Sequence, residues 1–289
     1  MTGLEEYLKT RHTPATVKSY LREINIFLYH NPHAETALYG DLMDYIARIR
    51  TRYTNPAYIK TKLQGIKKYY QYLAYTGKRK DNPARAIRLR DKVKSDYQLQ
   101  DLFTPEELEK LLEYKSRYNE IQYKNKVVLS LLICQGLTTQ DITALEVNNI
   151  NLEAGTIYIK STAKSNNREL KLRPRQIILF YKYINEERPL LHNKRVNPTD
   201  KLILTKTGST ETGDGINYLT CTFKKHFPER NLNPRTIRMS VIANLLIEKK
   251  DIRLVQVFAG HRYPGSTEKY KQNEIETLKA EINKHHPLR

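Results

Sequence analysis

The residues best equipped for chemistry lie near the C-terminus: Arg235-x-x-Arg238, then Gly260-His261, then Thr267-x-x-Tyr270. Arg238 precedes His261 by 23 residues (261 − 238), and His261 precedes Tyr270 by 9 (270 − 261). A tyrosine hydroxyl has an unperturbed pKa of about 10, so its phenolate is a fair nucleophile and a good leaving group, as a reversible transfer requires. Guanidinium groups stay ionised and fork onto oxyanions, so they suit a phosphoryl centre that gains negative charge under attack. Residue type alone decides little, because the chain holds 21 tyrosines and most tyrosines are packing residues. The order and spacing carry the argument.

The elements that must position these groups are read from hydrophobic period and capping signals. Thr104-Pro105-Glu106-Glu107 places a capping box and a first-turn proline at a helix start, with Leu108, Leu111 and Leu112 as its buried stripe. A strongly apolar helix is expected over 124–134 and a third over 138–145. The period then changes, and Thr156–Ile159 and Glu169–Leu172 read as paired short strands joined by a loop with Lys164-Ser165-Asn166-Asn167. Helices are expected over 174–186, 215–226, 234–248 and 274–284, with a short strand at Leu202-Ile203-Leu204.

The first 90 residues read as helices alone. Thr13-Pro14 and Asn55-Pro56 are helix starts. Ile24, Phe27 and Leu28, then Leu42, Tyr45, Ile46 and Ile49, then Ile59, Leu63, Ile66, Tyr70 and Leu73 recur at helical spacing. A short final helix is expected after Asp81-Asn82-Pro83, giving a four-helix domain. Lys60, Lys67 and Lys68 form a basic face on the third helix, either solvating it or contacting phosphate. Arg85, Arg88 and Arg90 lead into a basic linker at 91–102, so the expected domains are 1–90 and 103–289. The fold class is mainly α, with a small β-sheet in the second domain.

Bulk properties narrow the setting. The net charge is +19, and residues 1–100 hold 19 Lys+Arg against 9 Asp+Glu (19 − 9 = +10). Such a chain attracts polyanions through phosphate neutralisation and counterion release. No apolar run approaches the roughly 18–20 residues of a membrane span, and no signal peptide is read at the N-terminus. Cys134 and Cys221 give neither a disulfide framework nor a zinc site, which fits a cytoplasmic location. No carboxylate cluster or His/Cys ligand spacing appears, which leaves a metal-dependent nuclease a poor alternative; neither metal nor cofactor is expected.

The C-terminal constellation resembles the nucleophile-bearing half of the tyrosine site-specific recombinases, the phage-integrase family. The resemblance implies a helical core-binding (SAM-like) domain, a basic linker and a mixed α/β catalytic domain that together clamp DNA. It implies Tyr270 as nucleophile, Arg238 as the second catalytic arginine and His261 as a hydrogen-bond donor to the phosphate. Arg235 stands where the family motif has histidine and, being a poor base, is assigned phosphate contact. Lys164 resembles the family's turn lysine, which protonates the leaving 5′-oxygen, with Lys160 as the alternative. Lys60, Lys67, Lys68, Arg85, Arg88, Arg90 and Arg168 are expected to contact DNA. The partners implied are double-stranded DNA at specific recombination sites, a homotetramer on that DNA, and accessory DNA-bending or directionality proteins. Integration or transposition of a mobile element is the expected setting.

One position departs from the family pattern. In Gly136-Leu137-Thr138-Thr139-Gln140-Asp141 the supporting Asp141 is present, but Thr138 replaces the first catalytic arginine. A threonine offers one neutral hydrogen bond where an arginine offers a charged fork. Three accounts stay open: another basic residue such as Arg168 or Arg235 reaches the phosphate, the enzyme is slow and depends on partners, or catalysis is lost and the chain is an architectural or regulatory DNA-binding protein.

Overall fold

The computed structural model describes residues 2–91, 101–113, 118–163, 165–194 and 199–270. The chain divides into two compact units, Met1–Ser95 and Asp96–Arg289.

Four helices build the first unit: α1 (Thr2–Lys9), α2 (Pro14–His30), α3 (Tyr39–Arg52) and α4 (Pro56–Tyr75). Proline opens α2 and α4 because its missing N–H is unpaired at a helix start anyway, and the Asn55 side chain accepts from Ala57 N at 2.9 Å. The apolar stripes read from the sequence are buried together, with Ile24, Leu42 and Tyr70 among the least exposed. The Tyr70 hydroxyl donates to Ala34 O at 2.8 Å, which lets a phenol lie in the core.

The expected helix after Pro83 is replaced by turns over 83–86. Asn82 Oδ1 accepts from Ala84 N at 3.0 Å, a local bond that competes with helix formation. The following segment lies along α4. Ile87 is buried while Arg85, Arg88 and Arg90 are exposed. Lys67 Nζ donates to Ile87 O at 2.6 Å and Lys60 Nζ donates to Asp91 O at 3.0 Å. Two of the three lysines read as a basic face therefore fasten this segment, and the arginines it carries form the outward row.

The second unit is mixed. It contains α5 (Pro105–Glu113), α6 (Gln122–Cys134), α7 (Thr139–Ala144), α8 (Pro174–Lys182), α9 (Arg188–His192), α10 (Gly213–Cys221), α11 (Pro234–Ile247) and α12 (Ile252–Ala259). A π-helical turn over Tyr183–Glu187 joins α8 to α9. Three short strands, β1 (Ile150–Asn151), β2 (Thr156–Ile159) and β3 (Arg168–Lys171), form an antiparallel sheet in that order. The core joins α6 to the inner faces of β2 and β3 and to α11. Residues 202–204 form no strand; isolated bridges join Lys201 beside them to Glu146 and Leu204 among them to Thr210. Their three apolar side chains are nevertheless buried, so the apolar run reflects core filling. The expected C-terminal helix at 274–284 and most of the linker lie outside the described residues. Among the described residues, no helix is long and apolar enough to cross a membrane.

Candidate active site

α11 brings in the two arginines. Its start is fixed by reciprocal bonds: Thr236 N donates to Asn233 Oδ1 and Asn233 N donates to Thr236 Oγ1, each at 3.0 Å. Arg235 and Arg238, three residues apart, therefore share a face. The Arg238 guanidinium bridges two chain segments, donating from Nη1 to Gly136 O and from Nη2 to Ala259 O, the latter at 2.7 Å.

α12 delivers the histidine through its C-terminal turn. His261 N donates to Gln256 O at 3.0 Å and Gly260 N donates to Val257 O at 2.9 Å, the two bonds of a Schellman motif. That motif needs a left-handed residue at its hinge, and Gly260 has φ +69°. The position is also crowded: a Cβ on Gly260 would lie 2.4 Å from Arg168 Nη1. His261 Nδ1 lies 2.8 Å from the Thr267 hydroxyl oxygen, and Thr267 is fully buried. With that hydroxyl donating to Nδ1, the neutral ring carries its proton on Nε2 and can donate it onward. Burial, then the charges of Arg238 and Arg168, pull His261 down to about 4, so the ring is neutral near pH 7.

The β2–β3 loop closes over this corner. Ser165 and His261 form a backbone bridge, Asn166 N donates to Gly260 O at 3.0 Å, and Arg262 Nη2 donates to Thr162 O at 3.2 Å. Lys164 itself lies outside the described residues. Lys160 is ion-paired with Glu146 at 2.7 Å.

β3 supplies a further guanidinium. The strand alternates buried and exposed from its first residue, so Arg168 points inward with Leu170. Arg168 was expected among the DNA-contacting basic residues, but it is only 5% exposed. Its Nη2 lies 3.0 Å from Asp141 Oδ2. The same carboxylate oxygen accepts from Thr138 N at 3.1 Å, while Thr138 Oγ1 accepts from Asp141 N at 3.0 Å, capping α7.

Tyr270 ends the described chain on a helical stretch over 265–270 that also carries Thr267. Its ring packs partly buried against Ile242, Leu246, Val255 and Ala259. Burial raises the hydroxyl pKa, and the positive charges of Arg238 and Arg235 oppose that rise. Tyr270, Arg238, Arg235, His261, Asp141 and Thr138 thus converge in one region, joined by Arg168. Thr267 has a task that the sequence motif alone leaves unassigned; the Thr-x-x-Tyr spacing is its available signal. Among the described residues, no group of three or more His, Cys, Asp or Glu side chains is placed to hold a metal ion.

Known proteins resemble this chain over most of its length. Tyrosine recombinase XerD of Oceanobacillus iheyensis is 27% identical over 280 residues, covering 94% of this chain and 92% of the relative. The XerH site-specific recombinase bound to difH substrate, in a pre-cleavage complex, superposes with a TM-score of 0.71 at 18% identity, covering 88% of this chain and 76% of that one. The Tn1549 transposon integrase in complex with transposon right end DNA gives a TM-score of 0.69 at 15% identity and covers 98% of each chain. Residues 101–276 match the Phage integrase family, well over half of the chain. The chain therefore belongs to the phage integrase family, the tyrosine site-specific recombinases.

Proposed function

We propose that this protein cuts and rejoins duplex DNA at specific sites through a covalent 3′-phosphotyrosine on Tyr270, in the service of a mobile element. The carrying observation is the meeting of a tyrosine hydroxyl with a desolvated cationic corner. Arg238 is pinned by two carbonyls, His261 is neutral and oriented, and Arg235 lies close enough for its charge to act on Tyr270.

In this reading Arg238 and His261 hold the non-bridging oxygens of the scissile phosphate, and the preorganised charge stabilises the five-coordinate state. The Tyr270 oxygen attacks phosphorus, its own proton passing to water, and the bond to the 5′-oxygen breaks. Lys164 gives that oxygen its proton. The phosphodiester energy stays in the phosphotyrosine bond, so an incoming 5′-hydroxyl reverses the step without metal or nucleotide. The first unit acts as the core-binding domain and presents Arg85, Arg88 and Arg90 to backbone phosphates, with Lys60, Lys67 and Lys68 adding charge. The two units clamp the duplex, four protomers bring two sites together, and accessory proteins set direction. The reaction takes place in the cytoplasm, where Cys134 and Cys221 remain free thiols.

A second reading is favoured by Thr138: its side-chain oxygen caps α7, and the turn offers no charge. On that reading the chain binds DNA without cutting it. Covalent trapping separates the two. The protein is incubated with nicked duplexes from the ends of its genetic element, with EDTA present, and run on a denaturing gel. An adduct that vanishes in Tyr270→Phe supports strand transfer; shifted DNA on a native gel with no adduct supports binding alone.

A further inference from the structure

Thr138 leaves the Gly136-Leu137-Thr138 turn uncharged, yet a guanidinium from another element reaches the carboxylate that holds this turn. Arg168 extends inward from β3 and meets Asp141, whose Oδ2 also holds Thr138 N. We propose that Arg168 stands in for the arginine absent at position 138, as a positioning residue whose buried charge, behind Arg238 and His261, supports the negative charge that builds on the attacked phosphate. The inference rests on the strand-transfer reading above.

The placement is specific. Arg238 Nη2 bonds Ala259 O, and Arg168 Nη1 lies 2.4 Å from where a Cβ would stand on Gly260, the next residue. Two guanidiniums therefore meet at Ala259-Gly260, immediately before His261. Asp141 is the one carboxylate that pairs with either of them among the described residues. Two like charges beside one anion leave an excess of positive charge in a dry corner, which an incoming phosphate would neutralise.

The hydrogen bonding of Arg168 argues against a purely structural role. Its side chain is 1% exposed, its Nε has no partner among the described residues, and its Nη1 reaches only Asn166 O at 3.5 Å. Burying a guanidinium with donors left over is costly, and well-packed apolar residues at such a pair are often as stable or more so. A buried charge kept in a poorly satisfied setting points to a use for its field. Burial first, and then the Arg168 charge, lowers the proton affinity of Arg238; burial, then Arg238, then Arg168 do the same for His261.

The test measures the rate of Tyr270 adduct formation on a nicked duplex, with native-gel affinity and cooperative melting as controls. Arg168→Met is expected to slow adduct formation about a hundredfold or more, the scale of losing one preorganised oxyanion-stabilising group, while DNA affinity changes by less than about threefold. Arg168→Lys, which keeps the charge, is expected to recover at least part of the rate. The His261 pKa, read by NMR, is expected to rise in Arg168→Met. Adding Thr138→Arg to Arg168→Met moves the guanidinium to the turn beside Asp141 and is expected to restore at least tenfold. Should Arg168→Met fail to fold because Asp141 is left unpaired, Arg168→Met/Asp141→Asn removes both charges and carries the same expectation. A folded variant of either kind that forms adduct at the wild-type rate overturns the inference. So does a rise of tenfold or more from Thr138→Arg in the otherwise unaltered protein, which would mean the missing charge had never been replaced. If the wild-type protein itself forms no adduct, the strand-transfer reading falls and takes this inference with it. An adduct insensitive to Arg168 removes the inference alone.

Discussion

His261 Nδ1 and Thr267 Oγ1 lie 2.8 Å apart, across the turn that separates α12 from the helical stretch ending at Tyr270. The threonine of Thr-x-x-Tyr is thus the support of the histidine that precedes it, and one short helical stretch both orients the imidazole and carries the phenol. Thr267→Val keeps the shape and removes the hydroxyl. It is expected to slow Tyr270 adduct formation about tenfold, equivalent to one absent hydrogen bond of roughly 1.4 kcal/mol, while Thr267→Ser stays near the wild-type rate. Equal rates for the two variants would mean that the ring needs no such partner.

The neutral state of His261 has a consequence for stability. Burial first, then Arg238 and Arg168, hold its pKa at about 4, whereas an unfolded histidine titrates near about 6.5. Between these values the unfolded chain takes up a proton that the folded chain does not. Stability of the second unit should therefore fall as pH drops from about 6.5 toward about 4, and level off below. The full linkage is roughly 3 kcal/mol, reduced because the ring is only partly buried and solvent screens it. Comparing melting at pH 7 and pH 5 in the wild type and in His261→Gln isolates this contribution. The loss on acidification should shrink in the variant; an unchanged loss would assign it to other groups.

Much of this arrangement is legible in the sequence, and the parts that are not share a cause. The apolar stripes of α2, α3, α4 and α6 repeat along one element, so period and caps place them, and β2 lies at Thr156–Ile159, where alternation puts it. The order Arg238, Gly260-His261, Tyr270 is likewise local spacing. By contrast, α12 and α1 are eight residues long, and so short a run gives little periodicity to read. The meeting of Arg168 with Asp141 joins residues 27 apart in sequence through a strand register (168 − 141), and no local pattern encodes it. Arg168 groups in the sequence with the arginines expected to contact DNA because a strand-edge arginine in a basic loop reads as exposed. The alternation of β3, counted from Arg168 instead of from Glu169, turns it inward. The partners of Lys60 and Lys67 are hidden in a similar way: their charge is legible, but the carbonyls that hold them lie 31 and 20 residues away.

Gly260 carries two demands, and a substitution should reveal both. Its φ of +69° disfavours any side chain, and a Cβ would meet Arg168 Nη1 at 2.4 Å. Gly155 in the same unit also has positive φ, +62°, but a Cβ there would meet only the far end of Ile177 at 3.1 Å. Gly155→Ala should cost about 1 kcal/mol, and Gly260→Ala clearly more, about 2–4 kcal/mol, because the buried Arg168–Asp141 pair must shift. Chemical denaturation of the two variants supplies the comparison. Equal losses would mean that the backbone angle alone matters and that Arg168 yields freely.

In the basic segment of the first unit, exposed arginines stand apart from lysines that fasten the chain. Arg88 and Arg90 are exposed, whereas Lys67 is fastened to Ile87 O at 2.6 Å and its pKa is lowered by burial and then by Arg88. If the arginines neutralise phosphates, Arg88→Ala/Arg90→Ala should weaken binding across unrelated duplexes. The slope of log affinity against log salt should become shallower by about 2, near 0.9 for each phosphate left without its arginine. Lys67→Ala should act differently: it frees a carbonyl that the lysine had held, costing about 1 kcal/mol of stability in the first unit, and it should shift the salt slope by less than about 0.9. Fluorescence anisotropy at several salt concentrations, with denaturation of each variant, measures both quantities. A salt slope that moves with Lys67 and not with the arginines would reverse the assignment and make the lysine face the one that meets DNA.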